Sequence, residues 1–134
     1  MVRIMRRQMR WLLLAALLLA PAALLEADEA IKVTQAQNGQ EVTLKVGCIL
    51  QIELRASGGT GYSWYVAAPG APHVKLLAQT TRQITEPRPG APILQVFRFQ
   101  ARQPGAAEIK LAYYRPWEGI DQAVDHFRLK LRID

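Results

Sequence analysis

Cysteine and histidine are almost missing from this chain. Among its 134 residues the only cysteine is Cys48, and the only histidines are His73 and His126. One cysteine cannot close an intrachain disulfide, and no short cysteine–histidine cluster offers the ligand spacing of a zinc site. Cys48 lies in Val46-Gly47-Cys48-Ile49-Leu50 and reads as a small buried hydrophobe. His73 follows a proline-rich turn and His126 takes the polar phase of a strand pattern, so both read as surface residues. Nothing in their spacing pairs either with Cys48 as base and nucleophile. The acidic residues are scattered without the spacing of a calcium loop. Gly58-Gly59-Thr60-Gly61 lacks the lysine of a phosphate-binding loop. The expectation is a protein that is not an enzyme and holds neither metal nor cofactor.

Long apolar runs are also scarce: there is one, at the start. Arg3, Arg6, Arg7 and Arg10 precede an apolar stretch from Trp11 to Leu19, and Ala20-Pro21-Ala22 follows with small residues. This is the pattern of a secretory signal, expected over residues 1–22. It places the protein in the periplasm or outside the cell. No later run is long enough to span a bilayer, so no stable membrane insertion is expected after cleavage. The signal also carries 4 of the 17 basic side chains, leaving 13 against 11 acidic ones, a formal +2 in place of +6. The apparent basicity is therefore no footprint of nucleic-acid binding. The remaining residues suit one domain with its own core, with no internal repeat and no linker.

That domain lacks any long, well-capped helical pattern. What it has is alternation. Val42, Leu44 and Val46 alternate with Thr43 and Lys45, and Leu50, Ile52 and Leu54 with Gln51, Glu53 and Arg55. Tyr62, Trp64 and Val66 make another apolar face, as do Phe97 with Phe99, and Ile109 with Leu111 and Tyr113. The clearest case is last: Phe127, Leu129, Leu131 and Ile133 oppose His126, Arg128, Lys130 and Arg132, in a strand beginning near Gln122. Side chains leave a strand on opposite faces in turn, so each series has one dry and one wet face. Val33 to Ala36, Val74 to Ala78 and Thr80 to Thr85 are shorter candidates, Asn38-Gly39 reads as a hairpin turn, and Glu86 to Pro92 reads as a proline-rich loop. Seven or eight strands with turns between them imply an all-β sandwich of two packed antiparallel sheets, with a barrel as the alternative.

Two loops stand out. Tyr113-Tyr114-Arg115-Pro116-Trp117-Glu118 leaves a strand and carries Arg and Trp, the residue types enriched at binding hot spots. Ser57-Gly58-Gly59-Thr60-Gly61 runs into Tyr62-Ser63-Trp64. Within them Trp64 and Tyr113 share phase with core residues and are expected inside, while Glu118 is expected to support its loop. Loops presenting aromatics at one end of a rigid sandwich make a binding edge. A noncatalytic module for an envelope protein or a carbohydrate would instead spread aromatics over a sheet face.

On these motifs the chain resembles the chagasin-like family of cysteine peptidase inhibitors, across much of residues 31–134. Arg115-Pro116-Trp117 matches the family's third binding loop directly. Thr60 and Gly61 keep the end of its first loop, an asparagine-proline-threonine-threonine-glycine motif. Ser57, Gly58 and Gly59 depart from that motif, and without the proline the loop is freer and costs more to order on binding. In the middle loop Gly90 fits, next to Ala91, while Pro92 and Ile93 replace glycines. The resemblance implies that residues 23–134 form an inhibitor domain with a short flexible N-terminal extension, folded as an immunoglobulin-like antiparallel β-sandwich. It also implies reversible blockage of a papain-like cysteine peptidase. The contact residues would be Ser57, Gly58, Gly59, Thr60, Gly61, Tyr62, Gly90, Ala91, Arg115, Pro116 and Trp117. Thr60 and nearby backbone would hydrogen-bond near the peptidase's catalytic centre, Arg115 would make a directed polar contact, and Trp117 would pack beside the cleft.

Overall fold

The computed structural model describes residues 29–134; the expected signal over residues 1–22, and residues 23–28 of the extension, lie outside the described residues. Eight strands follow one another: β1 (Ile31–Thr34), β2 (Glu41–Leu44), β3 (Ile49–Ser57), β4 (Ser63–Ala68), β5 (Val74–Gln83), β6 (Pro92–Ala101), β7 (Gly105–Tyr114) and β8 (Asp125–Ile133). They form two four-stranded sheets, ordered β1-β3-β6-β5 and β2-β8-β7-β4, the expected immunoglobulin-like sandwich. The period-two faces meet in the core: Leu50, Ile52 and Leu54 of β3, Phe97 and Phe99 of β6, Ile109 and Leu111 of β7, and Phe127, Leu129 and Leu131 of β8 are all buried. Each such side chain contributes about 1.5–3 kcal/mol of burial energy, which is why the alternation decides the fold.

Several local expectations are corrected. Asn38-Gly39 does not turn a hairpin. β1 pairs parallel with β3 and β2 parallel with β8, so the segment between them crosses from one sheet to the other, and each sheet has one parallel edge. Asn38 binds to β8 rather than across a turn: its Nδ2 donates to the His126 carbonyl at 3.1 Å and its Oδ1 accepts from Arg128 N at 2.8 Å. Gly39 N donates to the Arg128 carbonyl at 2.7 Å. The two candidates between Val74 and Thr85 are one strand, β5, with a bulge between Leu76 and Ala78 that absorbs the change of phase. β8 starts at Asp125 because Ile120–Gln122 form a 3₁₀ turn.

Glu53, expected on a wet face, is buried. β3 is an inner strand, so long side chains from both sides fold over its outer surface. Lys32 Nζ lies 3.5 Å from Glu53 Oε2 and Arg82 Nη2 3.3 Å from Oε1, and Gln51 Nε2 donates to Oε2 at 2.7 Å. Arg98 Nη1 donates in turn to Gln51 at 2.8 Å, so the carboxylate is satisfied on both oxygens, as a buried charge must be.

Topology then sets where the loops fall. β3, β5 and β7 all run toward one end of the sandwich, being antiparallel to the strands that follow the loops or lie beside them. The β3–β4, β5–β6 and β7–β8 loops therefore share that end. Cys48 and His73 precede β3 and β5 at the opposite end. Cys48 is half-buried against the core rather than fully inside, His73 is also half-buried, and His126 is exposed.

Candidate functional site

The first loop, Gly58 to Tyr62, is a closed turn. Gly59 and Gly61 hold φ of +76° and +82°, a region that glycine enters without penalty. Thr60 Oγ1 donates to the Ser57 carbonyl at 3.1 Å and accepts from Tyr62 N at 3.2 Å. The Thr60 hydroxyl thus shapes the turn and orders a loop that has no proline.

The other two loops flank this turn. On one side Gly58 N donates to the Ala91 carbonyl of the middle loop at 3.0 Å. A Cβ on Gly58 would stand 2.9 Å from that same oxygen, so the close approach needs glycine. On the other side Arg115 Nε donates to the Thr60 carbonyl at 3.0 Å. Its guanidinium lies 4.4 Å above the Tyr62 ring and 5.9 Å from the Trp117 ring, within the range of cation–π attraction. Glu118 Oε1 sits 3.8 Å from Arg115 Nη1, in the supporting role expected of it. Arg115 is therefore a brace between the first and third loops. The Trp117 ring covers Gly61 and is itself 71% exposed.

Beneath the loops lies a polar layer inside the sandwich. Trp64, buried as expected, donates its indole N–H to the Arg55 carbonyl at 3.0 Å. Gln95 accepts from Trp64 N at 2.8 Å and donates to Trp64 O at 3.3 Å, so it clips β4 to the opposite sheet. Tyr113 accepts from Ser57 N through its hydroxyl at 3.0 Å, while its ring stacks on Tyr62 at 5.4 Å and lies tilted against Trp64 at 5.1 Å. Sequence reasoning missed Gln95 and this use of Tyr113. A signal existed: Gln95 is a polar residue in phase with Phe97 and Phe99, on a face that is otherwise dry.

Removing one hydroxyl tests this layer. Tyr113→Phe keeps the ring stack and frees Ser57 N, for a loss of about 1 kcal/mol. The expected result is amide exchange at Ser57 faster by about fivefold, with the melting midpoint moving by only a few degrees. Exchange at that amide equal to wild type would remove Tyr113 from the support of the first loop.

All eleven sequence-predicted site residues thus occur at one end of the molecule, with Thr60 and Trp117 on adjoining loops. Aromatic side chains gather there as well; Tyr65 and Tyr114 pair with tilted rings, 4.8 Å apart and half-buried. Among the described residues no group of three or more histidine, cysteine or acidic side chains converges as a metal site.

Comparison with known proteins agrees with this geometry. The family model for the Chagasin family peptidase inhibitor I42 matches residues 43–131. Chagasin of Trypanosoma cruzi is 27% identical over 107 residues, covering 77% of this chain and 97% of its own. The crystal structure of the cysteine protease inhibitor EhICP2 from Entamoeba histolytica superposes with a TM-score of 0.70 at 22% identity, over 78% of this chain and 96% of that one. PbICP-C, solved in complex with falcipain-2, superposes with a TM-score of 0.50 at 21% identity, over 79% and 90%.

Proposed function

This chain belongs to the chagasin family of peptidase inhibitors, and from that premise we propose that it inhibits papain-like cysteine peptidases reversibly, by wedging its three adjoining loops into the active-site cleft. The family is one of inhibitors, not enzymes. The observation that carries the mechanism is the shape of the first loop. A peptide must lie extended to be cleaved, whereas here the backbone turns back through two positive-φ glycines and is closed by Thr60. Such a loop covers the peptidase nucleophile without offering a scissile bond in register. The brace from Arg115 and the bond to Ala91 order the wedge before binding, which lowers the entropy lost in the complex. Trp117 contributes apolar area and excludes water from the contact.

The relative PbICP-C is known in complex with falcipain-2, which supports a cysteine peptidase as the partner here. The leading Arg-rich apolar segment supports export, and hence a periplasmic or secreted site of action. Gathering of aromatics at the loop end favours inhibition over a carbohydrate- or envelope-binding module.

The test is a titration of protein beginning at residue 23 against active papain-like peptidases, with residual rates fitted at several substrate concentrations. Inhibition should be reversible and should leave the inhibitor uncleaved. Thr60→Ala, which opens the turn, is expected to weaken inhibition about tenfold, since it removes two hydrogen bonds worth about 1 kcal/mol each less what water restores. No inhibition across diverse papain-like peptidases would reject the function.

A further inference from the structure

The third loop exposes more apolar surface than the wedge uses. Seven large hydrophobic side chains are exposed among the described residues, and three of them, Trp117, Ile120 (47%) and Val124 (63%), fall within one eight-residue stretch. Ile120 and Val124 are held firmly. Gln122 N donates to the Gly119 carbonyl at 3.1 Å, Ala123 N to the Ile120 carbonyl at 3.0 Å, and Val124 N to the Tyr113 carbonyl of β7 at 2.9 Å. Trp117 leans over Gly61 at the start of the third loop, whereas Val124 is bonded to Tyr113 where the same loop ends and β8 begins. Exposed apolar side chains therefore occur along the whole third loop, from Trp117 through Ile120 to Val124.

Resting on the inhibitory reading above, we propose that Ile120 and Val124 form a second contact zone that grips the peptidase beside its cleft and determines which papain-like peptidases are bound tightly. The matching surface is apolar with a basic rim. Glu118, Asp121 and Asp125 stand among the apolar residues; Glu118 pairs with Arg115, while neither Asp121 nor Asp125 is in an ion pair among the described residues. An anionic lipid surface would be repelled by these carboxylates. A second copy of this chain, meeting the same patch across a two-fold axis, would set them against each other. A partner with cations around an apolar patch satisfies both features, and its charge would speed encounter.

The experiment compares wild type, Ile120→Ser/Val124→Ser, Asp121→Lys and Trp117→Ala against a panel of papain-like peptidases that differ in the surface next to the cleft. Both apolar positions are exposed, so the melting midpoint should stay within a few degrees of wild type; each single substitution serves if the pair does not fold. The double variant should lose about tenfold against some peptidases and little against others, in dissociation rate, while Trp117→Ala loses against all. Asp121→Lys should slow association at low ionic strength, with the difference shrinking in high salt. Unchanged inhibition by the double variant on every peptidase, or an equal loss on all, overturns the assignment. In those cases wild type still inhibits and the parent reading stands; wild type inhibiting none of the panel overturns both.

Discussion

Trp117→Ala is expected to raise the inhibition constant by about 30- to 1000-fold, the range of a central aromatic hot spot losing 2–4 kcal/mol. The size follows from the position. The indole is 71% exposed, so the fold gains little from it and most of its apolar area is free to be buried by a partner. It is also already placed: the ring rests on Gly61, with the Arg115 guanidinium 5.9 Å from its centre. Little rotamer freedom is then left to lose on binding. Inhibition constants and thermal midpoints of the purified variant check this together. An inhibition constant within threefold of wild type, at an unchanged midpoint, would show that Trp117 lies outside the contact.

Gly61→Ala is expected to cost as much inhibition, by a different route. At φ +82° an L-residue with a Cβ carries about 1–2 kcal/mol of backbone strain. The added Cβ would overlap the Trp117 ring, and ring and turn cannot both stay where they are. The expected loss is therefore about 100-fold or more, through the strained turn and a displaced anchor together. Stability should fall much less than inhibition, because Gly61 is exposed and outside the core. A double-mutant cycle separates the two parts. In a Trp117→Ala background the overlap is gone, so Gly61→Ala should add only about a tenfold loss from backbone strain. Losses that simply add would mean that the ring and the glycine do not act as one unit.

Phase explains which parts of this molecule could be read in advance. A strand commits every second side chain to one face, so Phe127, Leu129, Leu131 and Ile133 announce both an element and its buried side. The same logic placed Trp64 inside. It failed at Glu53, because phase says which face a residue takes but not whether neighbouring strands cover that face with Lys32, Arg82 and Gln51. It failed at Asn38-Gly39 for a related reason. The dipeptide permits a tight turn, yet its hydrogen-bonding groups found β8, far away in sequence.

The candidate site divides in the same way. Arg115-Pro116-Trp117 and Thr60-Gly61 could be picked out by residue type and order. Their place in the loop scaffold could not: Arg115, read as a group for the partner, also braces Thr60, and the Thr60 hydroxyl closes its own turn.

Alternation and turn residues, which are local properties of the chain, were enough to determine the two-layer architecture, most of the core and the loops that could carry a contact. Which strands became neighbours, which loops touched, and which polar groups were consumed in holding them were decided only in three dimensions. Gly58 meeting Ala91, Ser57 meeting Tyr113 and Trp64 meeting Gln95 join residues 31 to 56 positions apart. A hydrogen bond of that kind depends on the packing of the two sheets, and no stretch of sequence encodes it alone.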